Sequence, residues 1–163
     1  MATRKSWFRE GDWFTVPLRR GAHAIGLVAR ADKRGDSFLG YYFPSWVSGA
    51  DGIPVTALLT PRDAVLIAAS GSYGFRSGTW KIFASPQFLD REKWPIPAFT
   101  RIDPSGDVHC ETYGDDDVLL PIPARDGDLS PTFTMSVVKG TLLDAAAVED
   151  ALWYQLRDKI LGG

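Results

Sequence analysis

Along most of the chain the apolar residues fall in short runs rather than at helical spacing, and Gly, Pro or charged residues bound each run. The runs are Trp13 to Pro17, Ala22 to Ala31, Phe38 to Phe43, Ala64 to Ala69, Thr79 to Ala84, Phe99 to Ile102, Val108 to Tyr113 and Phe133 to Val138. All have strand length and are rich in aromatic or β-branched side chains, which suit a pleated surface. Turn and loop sequence separates them at Pro17 to Gly21, Arg34 to Asp36, Pro44 to Pro54, Gly71 to Gly78, Pro95 to Pro97, Pro104 to Asp107 and Pro121 to Pro131. This pattern predicts a strongly bent, mainly antiparallel β-sheet, a shape able to close like a small barrel.

Helical spacing emerges near the C-terminus. Val148, Leu152, Leu156 and Ile160 recur every four residues, which predicts a helix over 142–161 with an apolar stripe packed across the sheet. Thr141 can cap it, Asp144 three residues on completes a capping-box-like start, and Lys159, Gly162 and Gly163 close it. Glu149, Asp150, Arg157 and Asp158 read as the solvated side. Residues 61–68 stay open between a short helix, with Thr60 as N-cap and Pro61 in the first turn, and a strand centred on Val65 to Ile67. The fold class is therefore α+β, a bent sheet with a C-terminal helix packed on it. No repeat, low-complexity tract or linker divides it, so residues 1–163 read as a single domain.

Composition adds limits on location and partners. The single cysteine, Cys110, cannot form an internal disulfide, and Met1 to Glu10 lacks the apolar stretch of a signal peptide. No apolar run approaches the roughly 18 residues needed to cross a bilayer. These features predict a cytoplasmic protein without a membrane partner. A net charge of −2 argues against a dedicated nucleic-acid binder. The charge is unevenly spread: residues 1–36 carry eight Lys/Arg against four Asp/Glu, while residues 103–128 carry eight Asp/Glu against Arg125 alone. Such a run is either a solvated face or a surface for a cationic partner.

Candidate chemistry is sparse. His23 and His109 stand in no H-x-x-x-H or H-E-x-x-H spacing, and Asp115, Asp116 and Asp117 lack the spacing of a calcium loop. Strand alternation places Val108, Cys110 and Thr112 on one face and His109, Glu111 and Tyr113 on the other. His109 and Cys110 therefore form no dyad, and Cys110 reads as a buried small hydrophobe. His109 with Glu111 is the better acid/base pair, although cross-strand pairing accounts for it equally well. Gly71, Gly74 and Gly78 lack the GK[ST] of a phosphate loop and predict a tight hairpin or bulge. Trp13, Trp80 and Trp94 read as core or rim. Trp46 and Tyr41 or Tyr42, nearer a long loop, are candidate exposed partner anchors.

Taken in order, GDWFTVPL at 11–18, GLVARA at 26–31, LGYYF at 39–43, GTWKI at 78–82 and WPIPAFTRID at 94–103 resemble the immunity protein 26 family. That bacterial family is grouped with a small HocA-type phosphotriesterase. The resemblance implies an α+β domain that binds and neutralises a cognate toxin of a polymorphic toxin system, without a cofactor. The phosphotriesterase name implies instead hydrolysis of organophosphate triesters. For binding, Glu111, Asp115, Asp116, Asp117, Asp126 and Asp128 form an acidic surface suited to a cationic toxin such as a nuclease. The hydrolytic alternative needs a divalent metal to polarise the phosphoryl oxygen, with His109 or Glu111 taking the proton.

Overall fold

The computed structural model describes residues 6–44, 55–102, 104–124 and 143–162. Five strands, β1 (Trp13–Pro17), β2 (His23–Ala31), β3 (Ser37–Pro44), β4 (Leu66–Gly71) and β5 (Lys81–Ala84), form an antiparallel sheet in the order β4-β3-β2-β1-β5. A second antiparallel sheet has the order β6-β7-β8, from β6 (Phe99–Ile102), β7 (Val108–Gly114) and β8 (Asp117–Pro123). Three α-helices, the single turns α1 (Val55–Leu58) and α2 (Tyr73–Arg76) and the long α3 (Ala145–Leu161), and two 3-10 turns, Arg19–Gly21 and Pro61–Asp63, complete the described elements.

The large sheet is covered on both faces over β2, β3 and β4, while edge strand β5 is largely exposed. On one side Phe14, Val16, Val28, Phe38 and Tyr42 pack with Phe75, Trp80 and the apolar stripe of α3. On the other, Trp13, Leu27, Leu39, Tyr41 and Phe43 pack with Trp94, Phe99, Tyr113 and Val118 from the second sheet and the loop before it. A central strand covered on both sides reads as a continuous apolar run, because neither set of alternating side chains meets water. That accounts for SFLGYYFP in β3, in which every residue is buried.

The expectation of barrel closure is not met. Strands β4 and β5 end at opposite edges of the large sheet, and the remaining strands form a separate sheet. With α3 on one face and the small sheet on the other, the large sheet buries its apolar surface by layering, so closure is unnecessary. Edge strand β4 also gains a parallel bridge from Leu143, whose N–H donates to the Ala69 carbonyl at 2.9 Å and whose carbonyl accepts from Gly71 N–H at 2.9 Å.

Several local expectations are corrected. Helix α3 is capped by Asp144 itself, whose carboxylate accepts from Ala147 N–H at 2.8 Å, rather than by Thr141. Of its supposedly solvated acids, Glu149 is engaged, accepting from Trp80 Nε1 at 2.9 Å, whereas Asp150 is exposed as expected and pairs there with Arg19 at 2.7 Å. Residues 61–68 divide between the two readings, a 3-10 turn at Pro61–Asp63 followed by β4. The Asp63 carboxylate accepts from both the N–H and the hydroxyl of Thr60. The glycine-spaced stretch at 71–78 holds the helical turn α2 in place of a hairpin. There Gly74 lies so close under the Trp80 indole that a Cβ would fall 2.3 Å from it. Strand β8 replaces the expected turn at Pro121, and the expected strand at Phe133 to Val138 lies outside the described residues.

Candidate functional site

A bulge in β2 sets the position of the most connected charged side chain. Up to Val28 the even-numbered residues of β2 face α3: Ala24 and Val28 lie in that core, while Ile25, Leu27 and Ala29 face the small sheet. The register then shifts between Val28 and Arg30, so that Val28 opposes Gly40 and Arg30 opposes Leu39. One extra residue reverses the alternation. Arg30 thereby points with Leu39 towards the small sheet, and Ala31 returns to the α3 side.

Arg30 is only 3% exposed. Its guanidinium donates to the carbonyls of Ala29 (2.7 Å), Trp94 (3.0 Å) and Arg91 (3.4 Å), and its Nε donates to Asp115 Oδ1 at 3.0 Å. Arg91 makes a two-point contact with Glu10 at 2.7 and 3.0 Å and approaches Asp116 at 3.6 Å; Lys33 reaches Asp116 at 3.7 Å. The hydrogen bonds that Arg91 donates to Glu10 raise the Arg91 pKa above its ordinary value, with the charges of Glu10, Asp115 and Asp116 adding to the effect. The tip of the β7–β8 hairpin is thus tied to the large sheet by cations that the run of local charge along the chain does not reveal.

Beside the tip lies an open cleft of about 500 Å³. The β2–β3 turn supplies Asp32, Lys33 and Arg34, and the hairpin supplies Asp116, Asp117, Leu119 and Leu120. Asp32 is 7% exposed; its Oδ1 accepts from Asp36 N–H at 2.8 Å and Ser37 N–H at 3.3 Å, whereas its buried Oδ2 has no hydrogen-bond partner. Leu119 and Leu120 are exposed apolar side chains.

The residues singled out from sequence are dispersed. Asp115, Asp116 and Asp117 lie together at the hairpin tip, with Asp117 Oδ1 accepting from Leu119 N–H at 3.0 Å. Glu111 is half-buried further along β7, beside Tyr113, whose hydroxyl pKa is raised first by burial and then by the Glu111 charge. Asp126 and Asp128 lie outside the described residues. His109, exposed on β7, is opposite Arg101 of β6, while His23 is on β2 in the other sheet. Among the described residues no group of three or more His, Cys, Asp or Glu side chains is arranged to hold a metal ion. No described helix is long and apolar enough to cross a membrane.

Three sequence expectations change here. Tyr41 and Tyr42 are completely buried and are not surface anchors; the Tyr41 hydroxyl donates to the Pro95 carbonyl, and that of Tyr42 meets Ser70 Oγ at 2.7 Å. Trp46, the third candidate anchor, lies outside the described residues. Cys110 is half-buried rather than buried, since its strand face turns away from the core. The residues that sequence reading missed are Arg30, Arg91 and Asp32. A lone Arg inside the apolar run GLVARA was their available signal, because a buried guanidinium needs acceptors gathered around it.

The short motifs fill structural positions. Trp94 packs edge-on against Trp13 and Tyr41, Phe99 packs against Tyr113, and the Pro97 carbonyl accepts from the Thr112 hydroxyl at 3.1 Å. Asp12 of GDWF is a buried carboxylate that accepts from Arg9 N–H at 2.9 Å and the Ser85 hydroxyl at 2.7 Å, joining the chain before β1 to the end of β5. Neither a curated protein nor a solved structure matches the chain. The family model described as immunity protein 26 matches residues 9–110, which hold the whole large sheet, Arg30, Arg91 and these motifs, and the chain belongs to that family.

Proposed function

We propose that this protein neutralises a cognate toxin by binding it directly. The family match over residues 9–110 carries this reading, since an immunity protein implies a toxin as its target. The surface chemistry accords with recognition of another protein: the β7–β8 hairpin presents Asp116 and Asp117 next to exposed Leu119, Leu120 and Ile122. Charged groups of this kind steer association and set specificity, and apolar neighbours supply area that can be removed from water. Of the acidic residues read from sequence, Asp115 is spent on Arg30, which leaves Asp116 and Asp117 as the described acids best placed to meet a partner.

Co-expression with the product of the adjacent gene tests the reading. Restored growth of cells carrying that product, with the two chains co-eluting on a sizing column, is the expected result. A toxic neighbour that the protein neither neutralises nor binds overturns it.

A further inference from the structure

The cleft beside the hairpin has a polar floor and an apolar wall. Its floor holds Asp32, which is nine-tenths buried and has one carboxylate oxygen without a hydrogen-bond partner. Asp116 and Asp117 add two carboxylates at the rim; of the cations beside them, Arg91 approaches Asp116 at 3.6 Å and Lys33 at 3.7 Å, and Arg34 also lines the cleft. Leu119 and Leu120 form the wall, Leu120 with 65% of its surface exposed. Three of the charged side chains that line it are carboxylates and two are cations, and Lys33 is already drawn to Asp116, so the balance that meets an entering group is acidic. A long cationic side chain meets both demands, because its methylene stem covers the leucines while its head approaches the acids.

We propose that this cleft is the receptor for an arginine side chain of the toxin. The proposal rests on the toxin-binding reading and assigns that binding to one place. The guanidinium is directed to Asp117 and Asp32, its fork suiting two acceptors on different segments, and the aliphatic stem lies on Leu119 and Leu120. Residues 32–34 of the cleft fall within the segment that matches the family, whereas residues 116–120 lie beyond it. The acid-and-leucine wall is thus built by a part of the chain outside the match, where a preference for one toxin can reside.

Two measurements test this separately. In the first, N-acetyl-arginine amide is titrated into the isotope-labelled full-length protein, followed by backbone amide shifts. Shifts concentrated at residues 32–34 and 116–120, and weakened at least about threefold in Asp117→Asn and in Leu120→Lys, are expected; Asn can still cap Leu119 N–H, and position 120 is exposed. No localised shift, or a response at these residues to N-acetyl-glutamate amide in its place, overturns the proposal. In the second, affinity is measured for the adjacent gene product that co-elutes with the unmodified protein. Leu120→Lys and Asp32→Asn should each weaken that complex by about tenfold or more, as loss of a desolvated charge pair does. Unchanged affinity in both variants overturns the cleft and leaves toxin binding standing. If the unmodified protein forms no complex, the toxin reading fails, and the arginine titration alone decides the cleft.

Discussion

Gly26 has no side chain because Phe14 occupies the space. A Cβ built at Gly26 falls 2.2 Å from the Phe14 ring, which is itself stacked on Trp80 and packed edge-on against Phe38, Tyr42 and Phe75. A ring held on so many sides cannot move aside without disturbing the others. Gly26→Ala should therefore destabilise the protein by about 1–3 kcal/mol, the usual cost of overpacking a core. Urea unfolding measures it, and a midpoint equal to that of the unmodified protein would show that the ring yields freely. A glycine inside a strand run hints at close approach of another group. Which ring approaches is decided by the pairing of β1 with β2, which sets Phe14 opposite Gly26.

At the scale of elements, the β7–β8 hairpin depends on one buried cation. Asp115 is the carboxylate that hydrogen-bonds Arg30; the other described acceptors of this guanidinium are carbonyls. Asp115 itself is 64% exposed on its side chain, so solvent screens the pair and its worth is reduced. We expect Asp115→Ala to cost about 1–2 kcal/mol, as an under-compensated buried donor does. Asp116→Ala, whose contacts to Lys33 and Arg91 are long and exposed, should cost less than about 1 kcal/mol. Denaturant titration of both variants compares them; equal losses would mean that carbonyls alone hold Arg30. Strands β1 and β6 match their apolar runs, since local patterning suffices there. Strand β8 was hidden by Pro121 and Pro123, which resemble a turn but are tolerated in an edge strand. Among the site residues, the acids of the hairpin were visible as a charge run, whereas Arg30 was not, because its orientation depends on a bulge that alternation does not forecast.

For the whole molecule, tyrosines on both sides of the large sheet couple stability to alkaline pH. Burial raises the hydroxyl pKa of Tyr41, Tyr42 and Tyr113 above the ordinary value of 10.0. The folded protein then retains protons that the unfolded chain gives up, so their stabilising contribution is whole below pH 10 and declines as pH rises beyond it. Each tyrosine adds up to about 1.4 kcal/mol of loss per pH unit within its shifted range. Melting temperature followed from pH 8 to 11 should fall above pH 10, and more gently in Tyr42→Phe; a slope unaltered by that substitution would remove Tyr42 from the account. The sequence by itself determined the strand-rich α+β character, the C-terminal helix with its buried stripe and the aromatic scaffold, because these follow from periodicity and from which side chains avoid water. Only the tertiary structure decided that the strands form two layered sheets, that Tyr41 and Tyr42 are buried, and that buried Arg30 is hydrogen-bonded to Asp115 of the acidic hairpin. Each of these depends on strand partners, on a one-residue register shift and on charges distant in sequence, none of which a local pattern contains.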